Sequence, residues 1–283
     1  MMTLFDLHTH TTFCDGQNTP EEMAEAALQK NFGMLGFSGH AYTPFDADFC
    51  MSRENTALYT AEIQRLKSLY DGKIKLYLGC ERDFFSDDGD FRYDYVIGSV
   101  HYVKKDGVFL SVDNTAEIMQ KNVAEHYGGD YMEYIRDFFS LAAECPKKTG
   151  ADIIGHFDIV TKFNEGNRYF DEQSDRYRRL ALEALDAAAE CRVPFEVNIG
   201  AVYRGYRKAP YPNRFLLEEI RRRGGCVTLS GDCHTAEALG FGFYESLKML
   251  SDIGFDSIAV FNGNGFEMKG IDDSVRFCTK MFD

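Results

Sequence analysis

The feature that most constrains the fold of this 283-residue chain is the alternation of short apolar segments with longer helical ones. Short apolar runs bounded by turn residues are typical of buried strands, whereas longer runs with a period near 3.6 are typical of helices. Strands that alternate with helices indicate βα units, whose strands pair in parallel. The strands are predicted at residues 3–7, 33–40, 74–81, 93–101, 151–158, 194–200, 226–234 and 257–265. The helices are predicted at residues 18–31, 54–72, 116–144, 174–191, 213–225 and 235–254.

The number of these units favours one closed α/β domain. Seven or eight βα units in fewer than 300 residues are more typical of a barrel than of an open sheet. The six prolines and the absence of a low-complexity tract leave no sign of a linker, so a single domain is predicted over residues 1–283. The loop at residues 41–53 is longer than most, and it is either an active-site lid or a surface excursion.

Composition and charge exclude several classes of protein. The formal net charge is −14, whereas surfaces that bind duplex nucleic acid are usually basic. No apolar run approaches the ~18 residues of a membrane span, and the N-terminal segment "MMTLFDLHTH" lacks the charged and apolar regions of a signal peptide. We therefore expect a cytoplasmic protein with no nucleic-acid or membrane partner. The eight cysteines form no CxxC pair and are expected to be free thiols. The oligomeric state is left open.

Histidines concentrate at the ends of the predicted strands. His8 and His10 stand at i and i+2 at the end of the first strand, so their side chains are expected to project on the same side. Six of the seven histidines occupy such positions, and only His126 lies in a helical stretch. With the carboxylates at or near the same strand ends, the candidate ligands are His8, His10, Asp15, His40, Glu81, His101, His156, Asp232 and His234.

This set of residues predicts a metal centre. Barrel enzymes build their active sites where the carboxyl ends of several strands meet, so the nine side chains are expected to converge. Imidazole and carboxylate ligands suit zinc, iron and manganese, and nine ligands are too many for one ion and enough for two or three. A single histidine such as His156 could instead be a hydrogen-bonded core residue, but that alternative does not account for the whole set.

The segments that carry these ligands resemble the polymerase-and-histidinol-phosphatase (PHP) family. They are "DLHTHTTFCDG", "GFSGH", "GCERDF", "YDYVIGSVH", "IIGHFDIV" and "SGDCH", which extend over nearly the whole chain. Within the family the chain is most similar to the monofunctional histidinol-phosphatase branch. The resemblance implies a distorted (β/α)7 barrel, TIM-like, with a trinuclear metal centre at the C-terminal ends of the strands.

The resemblance also implies how the ligands are shared. His8, His10, Glu81 and Asp232 would hold one ion. Glu81 would bridge to a second ion held by His101 and His156, and Asp15, His40 and His234 would hold the third. One departure from the family pattern is Gly231, which stands between Ser230 and Asp232, although the Asp-x-His spacing is kept. The two to three divalent ions are Zn, Fe or Mn, and the residues do not decide among them.

The chemistry implied is metal-dependent hydrolysis of a small-molecule phosphate ester. By resemblance, the substrate is L-histidinol phosphate, an intermediate of histidine biosynthesis, and the nucleophile is a metal-bridging hydroxide held by Glu81, His8, His10 and Asp232. Arg204 and Arg207 follow the sixth strand and are candidate phosphate-binding residues, because a guanidinium matches phosphate bidentately. Lys162 is a weaker candidate. Two alternatives stay open: a PHP phosphoesterase for another small ester or a nucleotide, and a non-catalytic metal-binding module.

Overall fold

The computed structural model describes residues 4–87 and 89–271, and in this part of the chain eleven strands and eight α-helices are present. The strands are β1 (Leu4–Asp6), β2 (Phe32–Phe37), β3 (Lys75–Asp83), β4 (Tyr95–Ser99), β5 (Tyr102–Lys105), β6 (Val108–Ser111), β7 (Ile153–Ile154), β8 (Phe195–Asn198), β9 (Val227–Ser230), β10 (Ser257–Phe261) and β11 (Phe266–Gly270). The helices are α1 (Pro20–Gln29), α2 (Arg53–Leu69), α3 (Ala116–Tyr127), α4 (Tyr131–Thr149), α5 (Asp175–Ala189), α6 (Gly200–Tyr203), α7 (Arg214–Arg222) and α8 (Phe243–Ile253).

Seven of the strands form one central sheet in the order β1-β2-β3-β4-β7-β8-β9. Every neighbouring pair in this sheet is parallel, so the carboxyl ends of the seven strands lie along one edge. The predicted α/β class and its parallel sheet are confirmed. A further parallel bridge joins Thr9 to Cys233, in the segments that follow the two outermost strands. It is held by His10 N donating to Cys233 O (2.8 Å) and Cys233 N donating to His8 O (3.0 Å).

The interior of the sheet is filled by large side chains that pack against glycines. Tyr95 on β4 is fully buried, and its hydroxyl donates to the carbonyl of Leu7 at 2.5 Å. A Cβ atom at Gly79 would lie 2.2 Å from the Tyr95 ring, and one at Gly36 would lie 2.2 Å from its hydroxyl. The two glycines therefore leave the space that this ring occupies between neighbouring strands.

Six of the eight described helices begin where a short polar side chain accepts from a backbone N–H group of the first turn. Thr19 caps α1 and forms a capping box with Glu22, while Pro20 occupies the first turn. The helix predicted at residues 18–31 is therefore present, two residues shorter at each end. The segment at residues 116–144, predicted as one helical region, is instead two helices, because Gly128 and Gly129 adopt positive φ of 59° and 87° between α3 and α4.

Two antiparallel hairpins lie outside the central sheet, and the first was not predicted. Strands β5 and β6 are joined by the two-residue turn Asp106-Gly107, in which both residues have positive φ (49° and 84°). An Asp-Gly pair is a strong hairpin signal, but each of these strands has only four residues, and β5 ends in two lysines. The second hairpin pairs β10 with β11, and the last predicted strand corresponds to its first half.

The loop at residues 41–53 packs against the first hairpin. The Phe45 ring stacks on Phe109 with centroids 3.7 Å apart, and the Tyr102 hydroxyl donates to Asp46 at 2.6 Å. Asp46 also accepts the backbone N–H of Phe49 at 3.2 Å. The loop is therefore held in one place beside the carboxyl ends of β3 and β4.

Seven cysteines are free thiols, in agreement with the prediction, and Cys278 lies outside the described residues. In the described part of the chain, no helix is both long enough and apolar enough to cross a bilayer.

Candidate metal centre

All nine candidate ligands lie together at the edge where the parallel strands end. They form four overlapping groups in which the ligand atoms lie within 4.8 Å of one another. The groups are His10, Asp15, His40 and His234; His8, Glu81 and His156; His8, His10 and Asp232; and His40, Glu81 and His101. His126 lies on α3 and belongs to none of these groups. The strand-end positions of the sequence therefore become neighbours because the strands are parallel.

Glu81 stands at the centre of this arrangement. Its Oε1 lies 2.8 Å from His156 Nε2 and 3.3 Å from His101 Nε2. Its Oε2 lies 3.0 Å from His8 Nε2 and 3.1 Å from His40 Nδ1. Burial would raise the pKa of this carboxyl, but the neighbouring His8, His40 and His101 hold it well below its usual value. Glu81 is therefore a buried carboxylate with imidazoles on both oxygens.

A second centre forms around Asp15. Asp15 Oδ2 lies 2.9 Å from His234 Nε2, and Asp15 Oδ1 lies 3.4 Å from His10 Nδ1 and 3.7 Å from His40 Nε2. The rings of His10 and His234 are stacked, with centroids 4.1 Å apart. Burial, together with His234 and His40, lowers the pKa of His10 to about 3. His10 is therefore neutral near pH 7, which is the form that coordinates a metal.

Buried ligand atoms without hydrogen-bond partners indicate whether this site fits metal ions. His8 Nε2, His10 Nε2, Asp15 Oδ1 and Glu81 Oε2 are buried and have no hydrogen-bond partner. Buried polar atoms are normally hydrogen-bonded, and several orphaned ligand atoms in one cluster need an explanation. Imidazole nitrogens and carboxylate oxygens are the donors that zinc, iron and manganese accept in proteins. The donor set therefore fits divalent transition-metal ions.

Asp232 reaches the centre through an unusual backbone conformation. Its φ is 49°, which is uncommon for a residue with a side chain and occurs often at functional sites. The preceding Gly231 is required by space, since a Cβ there would lie 2.3 Å from Cys233 Sγ and 2.6 Å from Asp6 Oδ2. Cys233 Sγ donates to buried Asp6 at 3.5 Å, so the thiol points away from the neighbouring ligands Asp232 and His234.

A cavity of about 330 Å³ opens over the cluster. Among the residues predicted to bind substrate, Arg204 and Lys162 line it, while Arg207 is not among its lining residues. Arg204 donates to Asp232 Oδ2 at 3.0 Å and lies 3.1 Å from His234 Nδ1, and its buried Nε has no hydrogen-bond partner. Lys162 donates to the carbonyl of Asp113 at 2.6 Å.

Arg207 is held outside the cavity by an ion pair. Its Nη1 donates to Glu172 Oε1 and to the carbonyl of Thr161, both at 2.9 Å. Its side chain is mostly buried, as is that of Glu172. The geometry therefore favours Arg204 over Arg207 for contact with a bound anion, although both follow the sixth strand of the sheet.

Sequence reasoning missed several residues that contact the candidate ligands. Asp83 accepts the backbone N–H of His101 at 2.7 Å, and Glu196 bonds to the His8 ring. Glu196 is a carboxylate inside the apolar run of residues 194–200, and a charged residue in such a run is rarely buried unless it is paired. That rule is the sequence signal that would have found Glu196, whereas Asp83 lies beyond the predicted strand, after two charged residues, and has no such signal. Asp113 and Tyr102 also line the cavity, but no motif distinguishes them from surface residues.

Comparison with known proteins gives consistent matches. The family model described as "PHP domain" matches residues 6–199. A probable histidinol-phosphatase of Deinococcus radiodurans is 32% identical over 268 residues, which cover 90% of this chain and 95% of the relative. The histidinol-phosphatase of Bacillus subtilis is 26% identical over 270 residues, with 86% and 98% covered.

Solved structures agree on the fold. The histidinol phosphate phosphatase of Lactococcus lactis, solved in complex with Zn, L-histidinol and phosphate, superimposes with a TM-score of 0.67 at 21% identity. The match covers 94% of this chain and 100% of that one. A structure from Listeria monocytogenes matches with a TM-score of 0.73 at 18% identity, covering 86% of this chain and 99% of that one.

Proposed function

This chain belongs to the PHP domain family, and on that premise we propose that it is a metal-dependent phosphomonoesterase that hydrolyses L-histidinol phosphate to L-histidinol and phosphate. The observation that carries the proposal is the convergence of nine histidine and carboxylate ligands beneath a small cavity that contains an arginine. A structural metal site is closed and needs about four ligands, so this open site with nine speaks against a non-catalytic module.

We propose that the nine residues hold two to three divalent ions, in the arrangement that the family resemblance implies. The central position of Glu81 supports its assignment as a bridge, because Glu81 belongs to two of the ligand groups, one with His8 and His156 and the other with His40 and His101. The structure differs from that arrangement in one respect. His10, which is assigned to the first ion, also lies close to Asp15, which is assigned to the third. Zn is our first choice of metal because the histidinol phosphate phosphatase of Lactococcus lactis was solved in complex with Zn. Fe and Mn are the alternatives.

When bound, such ions neutralise phosphate oxygens and lower the pKa of a coordinated water, which is the chemistry that ester hydrolysis needs. The chain's own residues orient the substrate. Arg204 places its unpartnered Nε and its charge beside Asp232, where a phosphate oxygen can accept from it. Lys162 adds a second positive charge at the cavity wall, partly balanced by Asp113. These two residues are the proposed phosphate-binding groups.

The cationic end of L-histidinol phosphate needs a different partner. In the 41–53 loop, Asp46 lines the cavity, whereas Tyr42, Phe45 and Asp48 are not among its lining residues. Asp46 is held by the Tyr102 hydroxyl, which fixes the direction of its carboxylate. We therefore assign Asp46 to recognition of the ammonium or imidazole group, and this assignment makes the loop part of the active site.

We propose that the seven-stranded sheet is the wall of a distorted (β/α)7 barrel, a closure that the Thr9–Cys233 bridge supports. The chain from residue 1 to 283 is proposed to be one domain acting in the cytoplasm on a small-molecule partner. The experiment that tests the function is the release of inorganic phosphate from L-histidinol phosphate by Zn²⁺-loaded protein. Phosphate release that stops when a chelator is added supports the proposal, and no release with Zn²⁺, Fe²⁺ or Mn²⁺ contradicts it.

A further inference from the structure

Glu196 is a buried carboxylate whose role the metal ligands do not explain. It lies on β8 with 1% of its surface exposed, and each of its two carboxylate oxygens accepts two hydrogen bonds. Oε1 receives the ring N–H of His8 and the hydroxyl of Ser230, the latter at 2.5 Å. Oε2 receives the backbone N–H of His156 at 2.7 Å and the side-chain amide of Asn198 at 3.0 Å. Glu196 therefore contacts two candidate ligands through its two oxygens.

These contacts determine which nitrogen of His8 is free. A carboxylate oxygen accepts only, so the Nδ1 atom that faces Glu196 must carry the proton. In the neutral imidazole, which is the form that binds a metal, the lone pair is then on Nε2, which lies 3.0 Å from Glu81 Oε2 and has no hydrogen-bond partner. The same carboxylate fixes the backbone of His156, whose Nε2 lies 2.8 Å from the other oxygen of Glu81. One residue thus orients imidazoles on both sides of Glu81.

We propose that Glu196 is a positioning residue of the metal centre, which holds His8 in the Nδ1–H tautomer and fixes His156 while touching neither ion nor substrate. The inference rests on the proposed function in one respect, since it takes the atoms around Glu81 to be metal ligands. Hydrogen-bond partners of this kind are worth about 10- to 100-fold in metal affinity.

Replacement of Glu196 by glutamine keeps the shape of the side chain but removes one of its two acceptor oxygens. An amide offers one acceptor and two donors, so one of its ends must face a donor. If the amide NH₂ faces His8, the imidazole has to take the other tautomer and its Nε2–H replaces the free lone pair. If it faces His156, the backbone N–H loses its acceptor. Glu196→Asp keeps both acceptor oxygens on a shorter side chain and is the conservative variant.

Glu172 provides a matched control. It is also a buried carboxylate, and its oxygens accept from Arg207 and Asn164. No hydrogen bond recorded for Glu172 in the described residues goes to a candidate ligand. Glu172→Gln therefore measures the general effect of neutralising a buried carboxylate in this protein, without a change at His8 or His156.

The experiment is a Zn²⁺ titration of the full-length apoproteins against a competing chromophoric chelator at one fixed pH. We expect Glu196→Gln to weaken the tightest site by about 10- to 100-fold and Glu196→Asp to recover part of that loss. Glu172→Gln is expected to keep the wild-type affinity. Equal Zn²⁺ affinity in Glu196→Gln and wild type overturns the inference.

A measurement on the wild-type protein covers the case in which Glu196→Gln fails to fold. In the Zn²⁺-loaded protein, ¹⁵N chemical shifts of His8 should report a protonated Nδ1 and a coordinated Nε2, and the opposite assignment overturns the inference. Assay of the same preparations with L-histidinol phosphate separates the two claims. If the wild-type protein hydrolyses L-histidinol phosphate and Glu196→Gln binds Zn²⁺ as tightly as wild type, only the role of Glu196 is contradicted. Reduced affinity in that variant, without turnover by wild type, contradicts only the proposed function.

Discussion

Glu81 Oε1 lies 2.8 Å from His156 Nε2, although the two residues are 75 positions apart in the chain. The contact exists because β3 and β7 both end at the same edge of the parallel sheet, with β4 between them. The other oxygen of Glu81 faces His8 and His40. Because the Glu81 side chain contacts imidazoles that follow four different strands, substitution of Glu81 should disturb the centre more than substitution of any other ligand.

Glu81→Ala is therefore expected to be the most damaging single substitution among the ligands. It removes the proposed bridge and leaves the surrounding imidazoles without their carboxylate, so kcat/KM for L-histidinol phosphate should fall by about 10³-fold or more, as expected when several kcal/mol of charge stabilisation is lost. His126→Ala is the control, since His126 lies on α3 outside the ligand groups. Wild-type kcat/KM in Glu81→Ala, or its loss in His126→Ala, would show that the site is misassigned.

Metal content is expected to be two to three transition-metal ions per chain. Nine ligand atoms in four overlapping groups exceed what one ion coordinates. Elemental analysis of protein purified without chelator measures the number directly. Less than one ion per chain, together with activity that survives dialysis against a chelator, is the result that this prediction excludes.

Substitution of Arg204 is expected to lower activity, whereas substitution of Arg207 is expected to lower stability. Arg204 lines the cavity, so Arg204→Ala should lower kcat/KM by about 10²-fold through loss of charge-assisted hydrogen bonds to phosphate. Arg207 pairs with Glu172 away from the cavity, so Arg207→Ala should lower the free energy of unfolding by about 3–5 kcal/mol. Urea unfolding and steady-state kinetics on both variants make the comparison. A larger kinetic loss in Arg207→Ala than in Arg204→Ala would reverse the assignment.

Asp158 is expected to make stability depend on pH. Burial raises its pKa from 3.8 to about 7, which Glu172 reinforces, while backbone N–H groups and Arg207 oppose it. Tyr177 and Tyr211 also interact with it. The folded state binds the proton of Asp158 more tightly than the unfolded state does. The contribution of this group to the free energy of unfolding is therefore greatest below about pH 4 and is lost as the pH rises through 7.

The measurement is urea unfolding of wild type and Asp158→Asn at pH 5 and pH 8. Asparagine mimics the protonated acid, so the variant should gain stability relative to wild type between pH 5 and pH 8, by at most about 3 kcal/mol. A stability difference between the two proteins that is independent of pH would show that Asp158 does not titrate in this range.

Much of the site was predictable because a parallel sheet turns strand ends into neighbours. His8 and His10 needed only the two-residue period of a strand, and Glu81, His101 and Asp232 needed only the rule that barrel enzymes act at this edge. The strands themselves were visible as apolar runs. The family resemblance added the sharing of ligands between ions, which spacing alone does not determine.

What the sequence did not reveal depends on contacts between distant side chains. Arg204 and Arg207 are three residues apart in one loop, but Arg204 contacts Asp232 whereas Arg207 pairs with Glu172, and the sequence shows neither contact. The 41–53 loop is fixed by Phe109 and Tyr102 on a hairpin whose strands, at four residues each, are too short to stand out. Gly128 and Gly129 divide a helical region that appeared continuous, because glycine within a helix and glycine at its end look alike in sequence.

The central claim is that this centre hydrolyses L-histidinol phosphate in preference to other esters, although its metals and Arg204 can bind any phosphate. Discrimination must come from the cationic end of the substrate, which Asp46 is placed to meet. The most direct test is kcat/KM for L-histidinol phosphate, glycerol phosphate and a nucleoside monophosphate with the same metal-loaded preparation. The account predicts a preference for L-histidinol phosphate of up to ~10⁴-fold, because polar groups tuned to one end of a substrate reject analogues that lack it. Equal values for all three esters, or a preference for the nucleotide, would contradict it.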